Sequence, residues 1–140
     1  RQMCIRDSYE TYAKCIRIEA ATMAEMVRRQ ILPAGQAALR ELGQTSRAKQ
    51  EISPLLSCKA EELLGTQIAN YNDMLLAGCT LLENLLRDFP SGTEEQKALY
   101  ARDRLLPAMN ELRQAADALE QMCPAHLWPM PTYGELLYGV

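Results

Sequence analysis

A chain of 140 residues, 48% of them apolar, is long enough to bury the core of one domain. A net charge of −3 leaves no basic surplus for a nucleic-acid backbone, so a general nucleic-acid binder is excluded. No apolar run approaches the roughly 20 residues of a membrane span, and the first residues lack the apolar core of a secretory signal.

Leu, Ala, Met, Glu, Gln and Arg dominate and aromatics are only 6%, which is a helical composition. Five cysteines (Cys4, Cys15, Cys58, Cys79, Cys123) are scattered without a CxxC pair. Such a set is expected as reduced thiols, several of them buried, in a cytoplasmic protein.

The chain opens on RQMCIRDS. Read back into codons, these eight residues fit a transposon-end sequencing adapter, so residues 1–8 are expected to be non-native. From about Tyr9 to Leu42, Ile16, Ala20, Met23, Val27 and Ile31 recur every three or four residues and predict a helix. Pro33 predicts a kink near Ile31–Ala34. Gly43 is placed to end the helix as a left-handed cap, with polar Gln44–Ile52 as a loop or frayed end.

Ser53-Pro54 predicts a second N-terminus, with Ser as N-cap and Pro at the first helical position. The stripe that follows is Leu64, Ile68, Tyr71, Leu75, Cys79, Leu82 and Leu86. Gly65 and Gly78 weaken this helix by about 1 kcal/mol each relative to alanine, so packing must hold it. Asp88–Gly92 breaks it, and Thr93-Glu94-Glu95-Gln96 carries the signature of a capping box. The third stripe is Ala98, Ala101, Leu105, Met109, Leu112, Ala116, Leu119 and Cys123, interrupted by Pro107. ILPA at 31–34 and LLPA at 105–108 look alike, although one shared tetrapeptide makes no repeat.

These elements predict an all-α fold: an elongated antiparallel three-helix bundle over residues 9–123. Residues 124–140 follow as an extended tail rich in Pro and aromatics, ending in a short helix capped through Thr132 and Glu135. Trp128, Pro129, Pro131, Tyr133, Leu136 and Leu137 are the expected docking residues, because exposed Trp and Leu are unfavourable in water.

Catalytic patterns are absent. Neither GxGxxG nor GxxxxGK[ST] occurs, and His126, the single histidine, lies among tail prolines. Glu19 and Glu25 point to different faces of one helix, which disfavours a shared metal. Arg102-Asp103-Arg104 reads as surface pairing before it reads as an anion site. Met23, Met26, Met109 and Met122 fit helix interiors. From these residues alone the chain is no enzyme and holds no catalytic, cofactor-binding or metal site.

Three segments nevertheless resemble the C-terminal region of type III glutamine synthetases: YETYAKCIRIEAATMAEMVRRQILPA (Tyr9–Ala34), YARDRLLPAMNELRQAADALE (Tyr100–Glu120) and LWPMPTYGELLYGV (Leu127–Val140). Met130 and Glu135 stand where Phe and Asp are usual, and the middle, roughly Gln44–Pro90, matches only in being helical. The resemblance implies a parent ligase that joins ammonia to glutamate using ATP with magnesium or manganese. Its active site would lie upstream, and its C-terminus would coincide with Val140. It further implies that this part is inactive alone and packs on its own catalytic domain and on neighbouring subunits of a homo-oligomer. The competing expectation is a stand-alone helical adaptor for a partner protein.

Overall fold

The computed structural model describes residues 5–130, and these are helical throughout apart from short connections. Helix α1 (Ile5–Met26) runs through a π-helical turn, Val27–Ile31, directly into α2 (Leu32–Ile52). Helix α3 spans Lys59–Arg87. Helix α4 (Glu94–Tyr100) passes through a second π turn, Ala101–Leu105, into α5 (Leu106–Met122), and a 3₁₀ turn follows at Ala125–Leu127. The chain therefore forms three rods, and the described residues contain no strand. No described helix is long and apolar enough to cross a membrane.

Two boundaries differ from the expectation. Gly43 does not end the first rod, which stays helical to Ile52. Polar residues there keep their backbone bonds, and Leu39 and Leu42 hold that stretch against the core cluster. Ser53-Pro54 does not open the second rod either. Ser53 is extended at φ −164° and ψ 134° and caps the end of α2, donating its N–H to Lys49 O. Helix α3 begins six residues later, at Lys59, with no side-chain cap. Lys49 closes this hairpin instead, reaching Ser57 O at 3.1 Å and the Glu61 carboxylate at 2.8 and 3.0 Å.

The third rod starts where the capping box places it. The Gln96 N–H donates to Thr93 Oγ1 at 3.2 Å, and the Thr93 N–H donates to Gln96 Oε1 at 2.9 Å. This reciprocal pair satisfies two of the donors left free at a helix start.

Each proline follows a π turn. Ahead of Pro33, the Leu32 N–H reaches back five residues to Val27 O; ahead of Pro107, the Leu106 N–H does the same to Ala101 O. The widened turn takes up the place where proline removes a donor. ILPA and LLPA thus occupy equivalent places, with matching burial of Ala24 and Ala98, Val27 and Ala101, Ile31 and Leu105, Ala34 and Ala108, and Ala38 and Leu112.

The core lies among α1, α3 and the third rod, centred on Ala20, Val27, Ile68, Leu75, Leu82, Leu105, Leu112 and Leu119. Leu64, the first member of the second stripe, falls outside it at 42% exposure. Helix α3 packs on both α2 and α5, and α1 packs on α4. At 1.5 Å per residue the first rod is about 70 Å long and each of the others about 44 Å. The excess length of the first rod is covered at one end by α4 and paired at the other with the start of α3.

Candidate docking surface

The tail residues predicted to dock divide at residue 130. Trp128 and Pro129 are described, whereas Pro131, Tyr133, Leu136 and Leu137 lie outside the described residues, as does Cys4. The chain leaves α5 at Cys123, where φ −83° and ψ 138° turn it extended, and Pro124 forbids further helix. The 3₁₀ turn is closed by the Leu127 N–H to Pro124 O at 3.0 Å and the Trp128 N–H to Ala125 O at 3.2 Å. His126 Nε2 meets Glu41 Oε2 at 2.8 Å and ties the turn to α2. The only histidine of the chain therefore sits in an exposed tail contact.

From there Trp128 and Met130 lie in the groove between α1 and α5. They line a cavity of about 250 Å³ with Met23, Met26, Val27 and Ile31 on one wall and Leu112 and Ala116 on the other. Both are partly buried against the core cluster, while Pro129 is exposed. Arg113, Asp117 and Glu120 form the polar edge of this groove. A second, wider groove of about 550 Å³ runs between α3 and α5, walled by Tyr71, Met74, Ala77, Gly78 and Leu81 against Leu112 and Ala115. Gly78 allows close packing there, since a Cβ would come within 3.1 Å of Leu112 Cδ1.

Several of the polar residues weighed for chemistry are engaged in pairing. Arg102 binds the adjacent Asp103 through Nε at 2.8 Å and a terminal guanidinium nitrogen at 3.2 Å, which lowers the carboxyl's pKa. Glu25 lies 3.7 Å from Arg29. Among the described residues no three His, Cys, Asp or Glu side chains converge as a metal site would require.

Sequence reasoning placed Cys79 in an apolar stripe but missed four sets of contacts between different parts of the chain. Arg28 grips Glu83 with two bonds of 2.8 Å, and this hydrogen-bonded partner holds the Glu83 carboxyl below its ordinary value. Tyr100 donates its hydroxyl to Leu85 O at 2.7 Å and meets Phe89 edge-on at 5.4 Å, with Arg17 over the Phe89 ring at 4.3 Å. Cys79 is fully buried, donates to Ala24 O at 3.3 Å and has its thiol pKa raised by burial. It is the single buried cysteine among the four described; Cys15 is exposed, and Cys58 and Cys123 are intermediate. Finally, Asn72 is buried with neither side-chain nitrogen nor oxygen hydrogen-bonded, its amide set against Gly35.

Comparison with known proteins adds a set of likenesses to this geometry. Residues 5–50 match the model described as the glutamine synthetase C-terminal domain. The chain is 25% identical over 138 residues to the type-3 glutamine synthetase of Dictyostelium discoideum, covering 93% of this chain and 18% of that protein. It is 29% identical over 132 residues to a glutamine synthetase of Butyrivibrio fibrisolvens, covering 94% of this chain and 19% of the relative. The chain thus spans about a fifth of the length of these relatives. No solved structure matches. The family match, the similarity along nearly the whole chain and the residue motifs agree, and the chain is similar to the C-terminal domain of glutamine synthetases, the type-3 form among them.

Proposed function

We propose that this chain is the C-terminal helical part of a type III glutamine synthetase, whose whole protein joins ammonia to glutamate with ATP hydrolysis. The observation that carries this reading is the match of residues 5–50 to the C-terminal domain, extended by similarity over 93% of the chain. In this reading the part is structural. Its bundle packs on the upstream catalytic domain and on neighbouring subunits of a homo-oligomer, and its tail, led by Trp128, is a docking element. ATP and magnesium or manganese are held upstream, where the metal offsets phosphate charge during transfer. The protein works in the cytoplasm.

The test is direct. The isolated chain is expected to give a helical circular-dichroism spectrum and to form no glutamine from glutamate, ammonia, ATP and magnesium. Turnover by the chain alone would overturn the structural role. The gene upstream of Tyr9 is expected to continue into a ligase domain.

One observation favours a second reading, an adaptor for a partner helix: the groove beside α3, with Met74 and Leu81 exposed on its wall. A native start codon immediately upstream of Tyr9 would support the adaptor and overturn the first reading.

A further inference from the structure

After the 3₁₀ turn the backbone is extended at Trp128, with φ −79° and ψ 123°, and burial then alternates. Trp128 and Met130 are partly buried while Pro129 between them is exposed. Successive side chains of an extended chain point to opposite sides, so Trp128 and Met130 enter the groove between α1 and α5 together. The polar tie of this segment is the exposed contact of His126 with Glu41. The rest of its hold on the bundle is apolar, supplied by Trp128 and Met130.

Methionine makes much of that seat. Of the seven methionines of the chain, Met23, Met26 and Met130 line the one cavity beside Trp128. All three are partly buried, so none of these side chains is sealed from solvent. Two others are placed differently: Met109 is 3% exposed in the core, and Met74 is 54% exposed beside the groove between α3 and α5. An unbranched thioether fills an irregular space well, yet mild oxidation turns it into a polar, chiral sulfoxide. Burying that new acceptor without a donor is unfavourable. Val27, Ile31, Leu112 and Ala116 of the lining offer none from their side chains, and Arg113 stands at the outer edge.

We propose that Met23, Met26 and Met130 form an oxidation site, and that their modification by hydrogen peroxide unseats Trp128 from the groove. In each step the thioether sulfur attacks one peroxide oxygen. The S–O bond forms as the O–O bond breaks, the sulfur gives up two electrons, the peroxide is reduced and water leaves. The sulfoxides no longer pack against the indole, and the tail is released as far back as His126. This rests on the seat of Trp128 and stands without the glutamine synthetase reading, so its failure would leave that reading untouched.

Trp128 is the single Trp of the chain, so its fluorescence reports the seat directly. The intact 140-residue chain is treated with rising hydrogen peroxide, with each methionine followed by peptide mass spectrometry. Met74 is expected to oxidise first without changing the emission. Oxidation of Met23, Met26 and Met130 is expected next, with a shift of the emission to longer wavelength and stronger quenching by acrylamide, and Met109 last. Methionine sulfoxide reductase, which leaves oxidised indole and thiols alone, is expected to return the emission to its starting position. Met23→Leu, Met26→Leu and Met130→Leu together conserve volume and are expected to hold the emission constant through the same treatment. Full oxidation of the three methionines with an unchanged emission would overturn the proposal. So would three methionines as resistant as Met109, a shift that the reductase fails to reverse, or an equal shift in the leucine variant. Mapping and reversal in the parent chain decide the matter even where that variant fails to fold.

Discussion

Glycine at position 35 sits in the first turns of α2, where alanine would ordinarily be the better residue by about 1 kcal/mol. Here a Cβ would overlap Asn72 Oδ1 and lie 2.9 Å from Asn72 Cγ. Asn72 is only 6% exposed, so its amide has little room to turn away. Overpacking of this kind costs about 1–3 kcal/mol, which outweighs the gain in helix propensity. Gly35→Ala is therefore expected to lower stability by about 0–2 kcal/mol. Asn72→Ala removes an amide whose two polar atoms have no partner, a burden of about 1–3 kcal/mol, and leaves a small void in exchange. The double variant fills that void with the new methyl and keeps the propensity gain. It is expected to be more stable than either single variant, with a coupling of about 1–3 kcal/mol. Urea denaturation followed by circular dichroism gives all four corners of the cycle. If Gly35→Ala alone stabilises by the full propensity gain and the coupling is zero, the reasoning about this contact is wrong.

Five other substitutions test the remaining contacts. Thr93→Ala is expected to lower stability by about 1 kcal/mol in the same denaturation assay, through loss of the Gln96 cap. Trp128→Ala in the isolated chain is expected to cost about 1–3 kcal/mol, since this side chain is only partly buried, and a wholly unchanged melting curve would argue against its seat beside Met23 and Met26. Glu61 and Glu83 have folded-state pKa values lowered from 4.5 by their bonds to Lys49 and Arg28. Their contribution is present above 4.5 and is lost as pH falls through the lower folded value, so Glu83→Gln should flatten the acid limb of a stability–pH curve. Pro33→Ala and Pro107→Ala are expected to shift stability alike and by less than the roughly 3 kcal/mol of a mid-helix proline, because each follows a π turn; a gain near that full value on melting would refute this.

Helix content was legible because the stripes step by three and four, and the third rod was legible to the residue at its start. A capping box is local: Thr93 and Gln96 need only each other. The errors at Gly43 and Ser53 have one cause. Both are strong local signals whose outcome is decided elsewhere, by Leu42 packing on Gly65 and by Lys49 reaching across the hairpin to Glu61. Glycine permits a left-handed cap without requiring one, and serine before proline fits a helix end as well as a helix start. The clasp between Arg28 and Glu83 and the meeting of Gly35 with Asn72 could not be read from the sequence. Nothing local sets one residue of such a pair opposite the other.

The tetrapeptides ILPA and LLPA carry a different lesson. Both place a buried aliphatic residue two positions before proline and an alanine just after it, and both follow a five-residue π turn with buried residues at its ends. A proline inside an apolar stripe must give up one backbone bond, and in both rods the turn before it is widened into a π turn. Ala34 and Ala108 then suit the site because a larger side chain so close to the neighbouring rods would crowd them. The likeness of the two segments follows from one packing problem met twice, on two rods that flank the same helix α3.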